Sequence, residues 1–139
     1  MKIKVSNNGF TLLELLIVLA VLGLLAAIAI PAYQNFRQRM YYSKIVEATA
    51  PFKKGVTACY ETSHSFKECH GGAHHIPANI TTVTGPVASI TVKEGVITTT
   101  PISAQGITMD DIYILTPSIV KDEVTWTTSG SAVKKALAS

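Results

Sequence analysis

GFTLLELLIVLAVLGLLAAIAI, residues 9–30, is the stretch that decides the fold of this chain. From Phe10 to Ile30 it holds 21 residues and a single ionisable side chain, Glu14. A helix of that length spans roughly 31 Å, which matches the hydrocarbon core of a bilayer. The apolar core of a secretory signal peptide is shorter, about 7 to 15 residues. The stretch therefore predicts a membrane-spanning helix, although the small residues Ala26 and Ala27 leave a signal peptide as an alternative.

The remaining composition limits what the chain can be. Of its 139 residues, 47% are apolar and 15% charged, with a formal charge of +3. The 109 residues after Ile30 suffice for one small domain and exclude a large two-lobed enzyme. Outside Lys2 and Lys4, ten basic residues face nine acidic ones, which is no strong basic field for nucleic acid.

No catalytic pattern stands out in the sequence. It has no nucleophile elbow and no phosphate-binding loop. The adjacent acids Asp110 and Asp111 are interpreted as a solvated turn. We expect no enzyme activity and no cofactor.

Glu14 is the residue that the apolar helix has to account for. A carboxylate inside a spanning helix costs about 2.5 to 3.5 kcal/mol on insertion scales and needs a partner or a function. No Lys or Arg lies within a helical turn of Glu14. Two interpretations stay open: the side chain extends to the headgroups, or its partner comes from another molecule.

The residues around Glu14 resemble a known family. A short polar leader, then Gly9, Phe10 and Glu14 as the fifth residue after the glycine, look like the class III signal of type IV prepilins. The resemblance continues through Gly23 and the AAIAIPAYQN segment at residues 26–35, which is similar to type IVa pilins. It implies that residues 1–9 are a leader, cleaved after Gly9 by a prepilin peptidase that then methylates the new amine of Phe10.

The same resemblance implies a function. The chain is expected to be the major subunit of a type IVa pilus, a homopolymeric helical filament serving adhesion, twitching motility or DNA uptake. Expected partners are the prepilin peptidase, an inner-membrane assembly platform, an outer-membrane secretin and minor pilins, with DNA or a host surface as further candidates. The expected location is the inner membrane before assembly and then the extracellular fibre of a Gram-negative bacterium. The alternatives are a minor pilin, a type II secretion pseudopilin, or a DNA-binding competence pilin.

Four residues of the apolar helix are predicted to serve subunit assembly: Phe10, Glu14, Gly23 and Pro31. Cleavage would give Phe10 a free amine one turn from Glu14 in the same helix. The resemblance implies that this amine instead pairs with Glu14 across two staggered subunits, mainly to fix register. Pro31 predicts a bend, and Gly23 weakens the helix by about 1 kcal/mol relative to alanine. The resemblance implies that residues 24–30 lose helicity in the fibre, whereas a continuous, gently kinked helix suits an isolated subunit equally well.

A second, amphipathic half of the long helix is predicted for residues 31–59. Its apolar positions recur every three or four residues, and Pro51 and Gly55 should bend or weaken it. The predicted apolar stripe comprises Tyr33, Phe36, Met40, Ile45, Ala48, Phe52, Val56 and Cys59.

Residues 60–139 are predicted to form a globular head, which makes the fold class α+β: a long N-terminal helix packed on a small antiparallel sheet of about four strands. Alternation predicts strands at 87–92, 96–100, 112–116 and 124–128, with a three-residue turn at 93–95. The tail, residues 131–139, is small and basic, with some mobility expected.

Cys59 and Cys69 are the only cysteines. Because the resemblance places the head outside the cytoplasm, it implies that they form a disulfide. Many type IVa pilins carry a disulfide after the tryptophan, but residues 127–139 contain no cysteine, which puts any function of such a loop in doubt. The nearby histidines, His64, His70, His74 and His75, lack zinc-site spacing and predict a solvated loop.

A DNA or surface contact is the remaining candidate site. Its residues would be the lysines of the head that could reach phosphates. They are Lys53, Lys54, Lys67, Lys134 and Lys135.

Overall fold

The computed structural model describes residues 11–139 and has an α+β architecture. In chain order its elements are α1 (Leu12–Glu47), α2 (Ala50–Ser63), β1 (Val87–Lys93), β2 (Val96–Pro101), β3 (Tyr113–Val120), β4 (Glu123–Ser129) and α3 (Ser131–Lys134). The four strands form one antiparallel sheet in the order β1-β2-β3-β4. The chain divides into two compact units with the boundary between Phe36 and Arg37.

The first unit is the apolar part of α1. The helix is long and apolar enough to cross a membrane: an 18-residue window has a mean hydropathy of 2.9, and none of that window is buried. Pro31 lies inside α1 without ending it. Residues 24–30 are therefore helical in this structure, which corresponds to the continuous-helix alternative for an isolated subunit.

The second unit, residues 37–139, holds the hydrophobic core. From Ile45 onward, side chains of the predicted helical stripe contribute to this core. Four of them are buried: Ile45, Phe52, Val56 and Cys59. The stripe is wrong at Tyr33, Phe36 and Met40, which are more than half exposed. Tyr42, which the stripe omitted, is fully buried.

The long helix is interrupted at residues 48–49, just ahead of Pro51. Pro51 occupies the first turn of α2, where its missing N–H costs no helical hydrogen bond. The helix continues to Ser63, four residues past the predicted end at Cys59.

Gly55, predicted only to weaken the helix, has a packing role. A Cβ atom at Gly55 would lie 2.7 Å from the Cα of Ile76 and 2.9 Å from the carbonyl oxygen of His75. Residues 64–86 form the loop between α2 and β1, and it passes directly over α2 at this point. Glycine is therefore required by the close approach of the two backbones.

The strands fall where the alternation predicted, with three differences. The β1–β2 turn has two residues, Glu94 and Gly95, because Lys93 pairs directly with Val96. A bulge between Val87 and Ser89 places Val87 on the buried side together with Ile90 and Val92. Strand β3 runs on through Pro117 to Val120.

Pro117 is tolerated in β3 because of where the neighbouring pairing stops. The pairing of β3 with β2 ends at Leu115, so Pro117 lies where β3 is paired with β4 alone. A residue without an N–H is acceptable at such an edge position.

The small, basic tail contains a short helix and packs on the head. After Ser129 the chain forms α3, and Ala132 is fully buried against the core. Val133, Leu137 and Ala138 pack around the same core. Alternating hydrophobicity did not predict this because the buried side chains are small and few.

Candidate functional site

The start of α1 is organised by a reciprocal pair of hydrogen bonds. The backbone N–H of Thr11 donates to Oε2 of Glu14 at 3.1 Å, and the backbone N–H of Glu14 donates to the Thr11 hydroxyl at 3.2 Å. This is a capping box, which satisfies two of the N–H groups that begin a helix. Gly9 and Phe10, the predicted cleavage and methylation residues, lie outside the described residues.

The capping box gives Glu14 a partner that the sequence analysis missed. The signal was present as Thr11-x-x-Glu14 ahead of an apolar run, the pattern of a helix N-terminus. The carboxylate is bonded within its own helix and remains exposed. It lies at the end of α1 where the helix dipole favours negative charge, and from there it is available to a cation.

Gly23 and Pro31, the other two predicted assembly residues within the described chain, lie on the exposed apolar part of α1. No atom of the described part of the chain comes within 4 Å of a Cβ atom built at Gly23. No contact within the described residues therefore requires glycine at position 23. Pro31 is likewise exposed.

Cys59 and Cys69 form a disulfide with a Cα–Cα distance of 5.9 Å, and both residues are fully buried. The bond joins α2 to the loop that follows it. The carbonyl of Cys69 accepts a hydrogen bond from Gly95 N–H at 2.8 Å, which extends the connection to the β1–β2 turn. Beside the disulfide, the rings of Tyr60 and Phe66 stack with centroids 4.7 Å apart. The disulfide thus ties helix, loop and sheet together at one end of α2.

The four histidines of this loop region are exposed. His74 Nε2 lies 3.7 Å from Glu68 Oε2, and His70 Nδ1 accepts a hydrogen bond from Glu94 N–H at 3.2 Å. Across residues 11–139 no group of three or more His, Cys, Asp or Glu side chains is arranged to hold a metal ion.

The five lysines proposed for DNA or surface contact have different surroundings. Lys53 Nζ lies 5.7 Å from the centroid of the Trp126 ring, a cation–π contact between α2 and β4. Lys135 Nζ lies 2.5 Å from Oδ1 of Asp111. Lys54, Lys67 and Lys134 are exposed. Two of the five lysines are therefore engaged within the head.

The interpretation of Asp110 and Asp111 as a solvated turn is wrong for Asp111, which is 1% exposed. Its Oδ2 accepts a hydrogen bond from Thr108 N–H at 2.8 Å. Burial alone would raise the pKa of Asp111, but the hydrogen bonds from Lys135 and Thr108 outweigh it and hold the pKa below its ordinary value. Asp111 is therefore a buried, ionised member of the head.

Tyr42 connects α1 to this acid. Its hydroxyl donates to the backbone carbonyl of Asp111 at 2.6 Å, and its ring meets Tyr113 edge-on with centroids 6.3 Å apart. Burial, together with the charge of Asp111, raises the pKa of Tyr42. The hydroxyl thus stays protonated and keeps its donor role.

Comparison with known proteins assigns the chain to a family. The family model for the prokaryotic N-terminal methylation motif matches residues 4–30. The type IV major fimbrial protein FimA of Dichelobacter nodosus is 34% identical over 104 residues, which cover 73% of this chain and 67% of that protein. The chain belongs to the type IV pilin family.

Other relatives of this pilin are similar over comparable lengths. Prepilin peptidase-dependent protein D of Escherichia coli is 34% identical over 95 residues, covering 68% of the pilin and 64% of that protein. The fimbrial protein of Neisseria meningitidis serogroup A is 38% identical over 99 residues, covering 70% of the pilin and 57% of that protein. The pilin thus matches about two thirds or less of the length of these relatives.

Proposed function

We propose that this type IV pilin is the major structural subunit of a type IVa pilus and polymerises through α1 into a retractable surface fibre. The observation that carries the proposal is the first unit, residues 11–36, which is helical from Leu12 and exposed throughout. Such a helix leaves lipid without meeting water only if many copies pack together. The relatives named type IV major fimbrial proteins support the same role.

Processing precedes assembly in this proposal. Residues 1–9 are removed after Gly9 by a prepilin peptidase, and the new amine of Phe10 is methylated. The match of residues 4–30 to the methylation motif supports this step. The amine is then available as the cation for Glu14.

Assembly exchanges one partner of Glu14 for another. Before assembly, the carboxylate is bonded to Thr11 N–H within its own helix. In the fibre we expect it to pair with the Phe10 amine of a neighbouring subunit. The pair defines the stagger between subunits, since a buried ion pair adds little net stability but strongly penalises a misplaced partner.

Gly23 and Pro31 are proposed to let the helix lose its hydrogen bonds locally when the fibre forms. Within residues 11–139 no contact explains the glycine at position 23, and Pro31 supplies no N–H to the helix. The intervening residues 24–30 are the segment expected to extend.

The proposed pathway takes the subunit from the inner membrane of a Gram-negative bacterium to an extracellular fibre. The proposed partners are the prepilin peptidase, the inner-membrane assembly platform, the outer-membrane secretin and minor pilins. Adhesion, twitching motility and DNA uptake are the proposed uses of the fibre.

Mass spectrometry of fibres sheared from the cell surface tests the proposal. We expect this chain to be the dominant protein, to begin at N-methylated Phe10 and to carry the Cys59–Cys69 crosslink. A trace amount in the fibre would contradict a major role, and an intact residue 1–9 segment would contradict the processing step.

The pairing of Glu14 is tested by Glu14→Ala. We expect normal cleavage and at least about a tenfold loss of surface fibres, because removing one member of a buried ion pair costs about 3 to 5 kcal/mol. Glu61→Ala is the matched control, since Glu61 is an exposed acid on the head. Normal fibre yield from Glu14→Ala would refute the pairing.

A minor pilin or type II secretion pseudopilin is the second candidate. The relative that favours it is prepilin peptidase-dependent protein D of Escherichia coli, because that name mentions processing but no major fibre role. The abundance measurement separates the two candidates. A DNA-binding competence pilin is a further candidate, and its exposed lysines, Lys54, Lys67 and Lys134, predict binding to DNA that weakens steeply with salt.

A further inference from the structure

The last nine residues, 131–139, form what we call the C-terminal segment. It follows β4, contains no cysteine, and lies in a different part of the sequence from the residues that the Cys59–Cys69 disulfide joins. No strand pairing holds it, since β4 ends at Ser129. Its place on the head therefore depends on a few side-chain and backbone contacts.

The first contacts are hydrogen bonds to the loop that precedes β3. The Ser131 hydroxyl accepts a hydrogen bond from Ile112 N–H at 2.9 Å and donates to the carbonyl of Asp110. The N–H of Ala132 donates to the Ile112 carbonyl at 3.1 Å. These bonds place the Ala132 methyl group in the core, where it is fully buried.

The second contact is ionic and reaches the same loop one residue further on. Lys135 places its ammonium 2.5 Å from Oδ1 of Asp111, a carboxylate that is 1% exposed, whereas the lysine side chain is 57% exposed. The lysine thus caps a buried charge from the solvent side. Without it, Asp111 would keep only the hydrogen bonds from Thr108. Because a buried charge without its partner is costly, the ion pair favours the conformation in which Lys135 stays beside Asp111.

Asp111 also connects the C-terminal segment to α1, because its backbone carbonyl accepts the hydrogen bond from Tyr42. The charged and titratable groups near Asp111 include Lys135 from the segment, Tyr42 from α1 and the preceding residue Asp110, with Tyr113 of β3 next to Tyr42. Lys135 is the only cation among these groups. A single ion pair, between Lys135 and Asp111, therefore links the segment to this acid.

We propose that the C-terminal segment is a noncovalent latch, fastened by Lys135 to the buried carboxylate of Asp111, and that unfastening Lys135 releases this segment while the sheet and the disulfide region stay folded. The latch holds a segment that the Cys59–Cys69 disulfide does not reach. The hydrogen bonds of Ser131 and Ala132 and the ion pair of Lys135 all reach residues 110–112, and the apolar side chains of Val133, Leu137 and Ala138 complete the docking of the segment on the core.

Hydrogen exchange followed by mass spectrometry on the full chain in detergent micelles tests the latch. Lys135→Gln removes the ammonium, and Lys134→Gln is the matched control because Lys134 is the adjacent, exposed lysine. In Lys135→Gln we expect the amides of residues 132–138 to exchange at least about tenfold faster, a difference of about 1.4 kcal/mol in local opening. Peptides from β1 and β2 should be unchanged. Lys134→Gln should match the wild type.

A double variant tests whether the two side chains act as a pair. Asp111→Asn removes the buried charge and keeps the size of the side chain. Combined with Lys135→Gln, it should give no faster exchange than Lys135→Gln alone, because no buried charge is then left without a partner. Equal exchange in Lys135→Gln and wild type would overturn the proposal. So would equal acceleration by Lys134→Gln, or faster exchange throughout the sheet.

Discussion

The disulfide of the head supports a quantitative prediction. Replacing both cysteines, Cys59→Ala with Cys69→Ala, removes a crosslink whose partners are 10 residues apart. In the chain-entropy model, closing a loop of that size stabilises the folded state by about 2.8 kcal/mol. Both side chains are fully buried, and the two polar groups beside the sulfur atoms stay satisfied without them, because the Ser63 hydroxyl donates to the Ser65 carbonyl. We therefore expect the free energy of unfolding of the head to fall by about 2.8 kcal/mol.

Urea unfolding of the full chain in a mild detergent, followed by tryptophan fluorescence, measures this change. Trp126 is the sole tryptophan and lies on β4, so its emission reports on the head rather than on the apolar part of α1. With an m-value of about 1.2 kcal/mol/M, the midpoint should fall by about 2 M. Ser63→Ala, at the end of α2 beside Cys59, serves as a control that leaves the crosslink intact. A midpoint within about 0.3 M of the wild type would refute the assignment of this stability to the crosslink.

Three further outcomes are expected from the head in the same unfolding assay. Gly55→Ala should destabilise it by about 1 to 3 kcal/mol, because the new methyl group meets the backbone of Ile76. Gly23→Ala is the control, since no atom of residues 11–139 lies within 4 Å of a Cβ atom there, and equal stabilities of the two variants would contradict the close approach at Gly55. Tyr42→Phe should lower the free energy of unfolding by about 1 to 2 kcal/mol, because the Asp111 carbonyl loses its donor. A stability equal to that of a Tyr41→Phe control would contradict this role of the hydroxyl. The lowered pKa of Asp111 means that its contribution is fully present above the ordinary pKa of about 3.9 and is lost as the pH falls through the folded-state value. Asp111→Asn should therefore flatten the decline of stability below about pH 4, and an unchanged acid profile would exclude Asp111 as its source.

The sequence predicted those parts of the fold that depend on long, regular patterns. The apolar run after Gly9 specified a long helix, and alternation located all four strands to within a few residues. Both signals arise from the local geometry of helix and strand, which repeats with a fixed period along the chain.

The errors fall where a neighbour distant in sequence decides the outcome. The third strand was predicted to end at residue 116, just ahead of Pro117. The proline is nevertheless acceptable inside β3, because β3 is not paired with β2 at that position. Gly55 suggested a weak helix, whereas the approach of Ile76 makes it a packing residue. The identity of one residue does not indicate which distant segment will pack against it.

The candidate site divides in the same way. The apolar segment with Glu14, and the match of that region to the methylation motif, depend on residues 4–30 alone. The capping box between Thr11 and Glu14 could also be predicted from spacing, since both residues belong to one helical turn.

By itself, the sequence determined that this type IV pilin has a long apolar helix carrying an acid and a small sheet-containing head, because composition and periodicity act over neighbouring residues. Only the tertiary structure decided that Asp111 is buried and ionised, that Lys135 rather than solvent neutralises it, and that residues 131–139 are held against the head. The physical reason is that burial of a charge depends on groups brought together from α1, the loop before β3 and the C-terminal segment. These groups are far apart along the chain and meet only in the folded head.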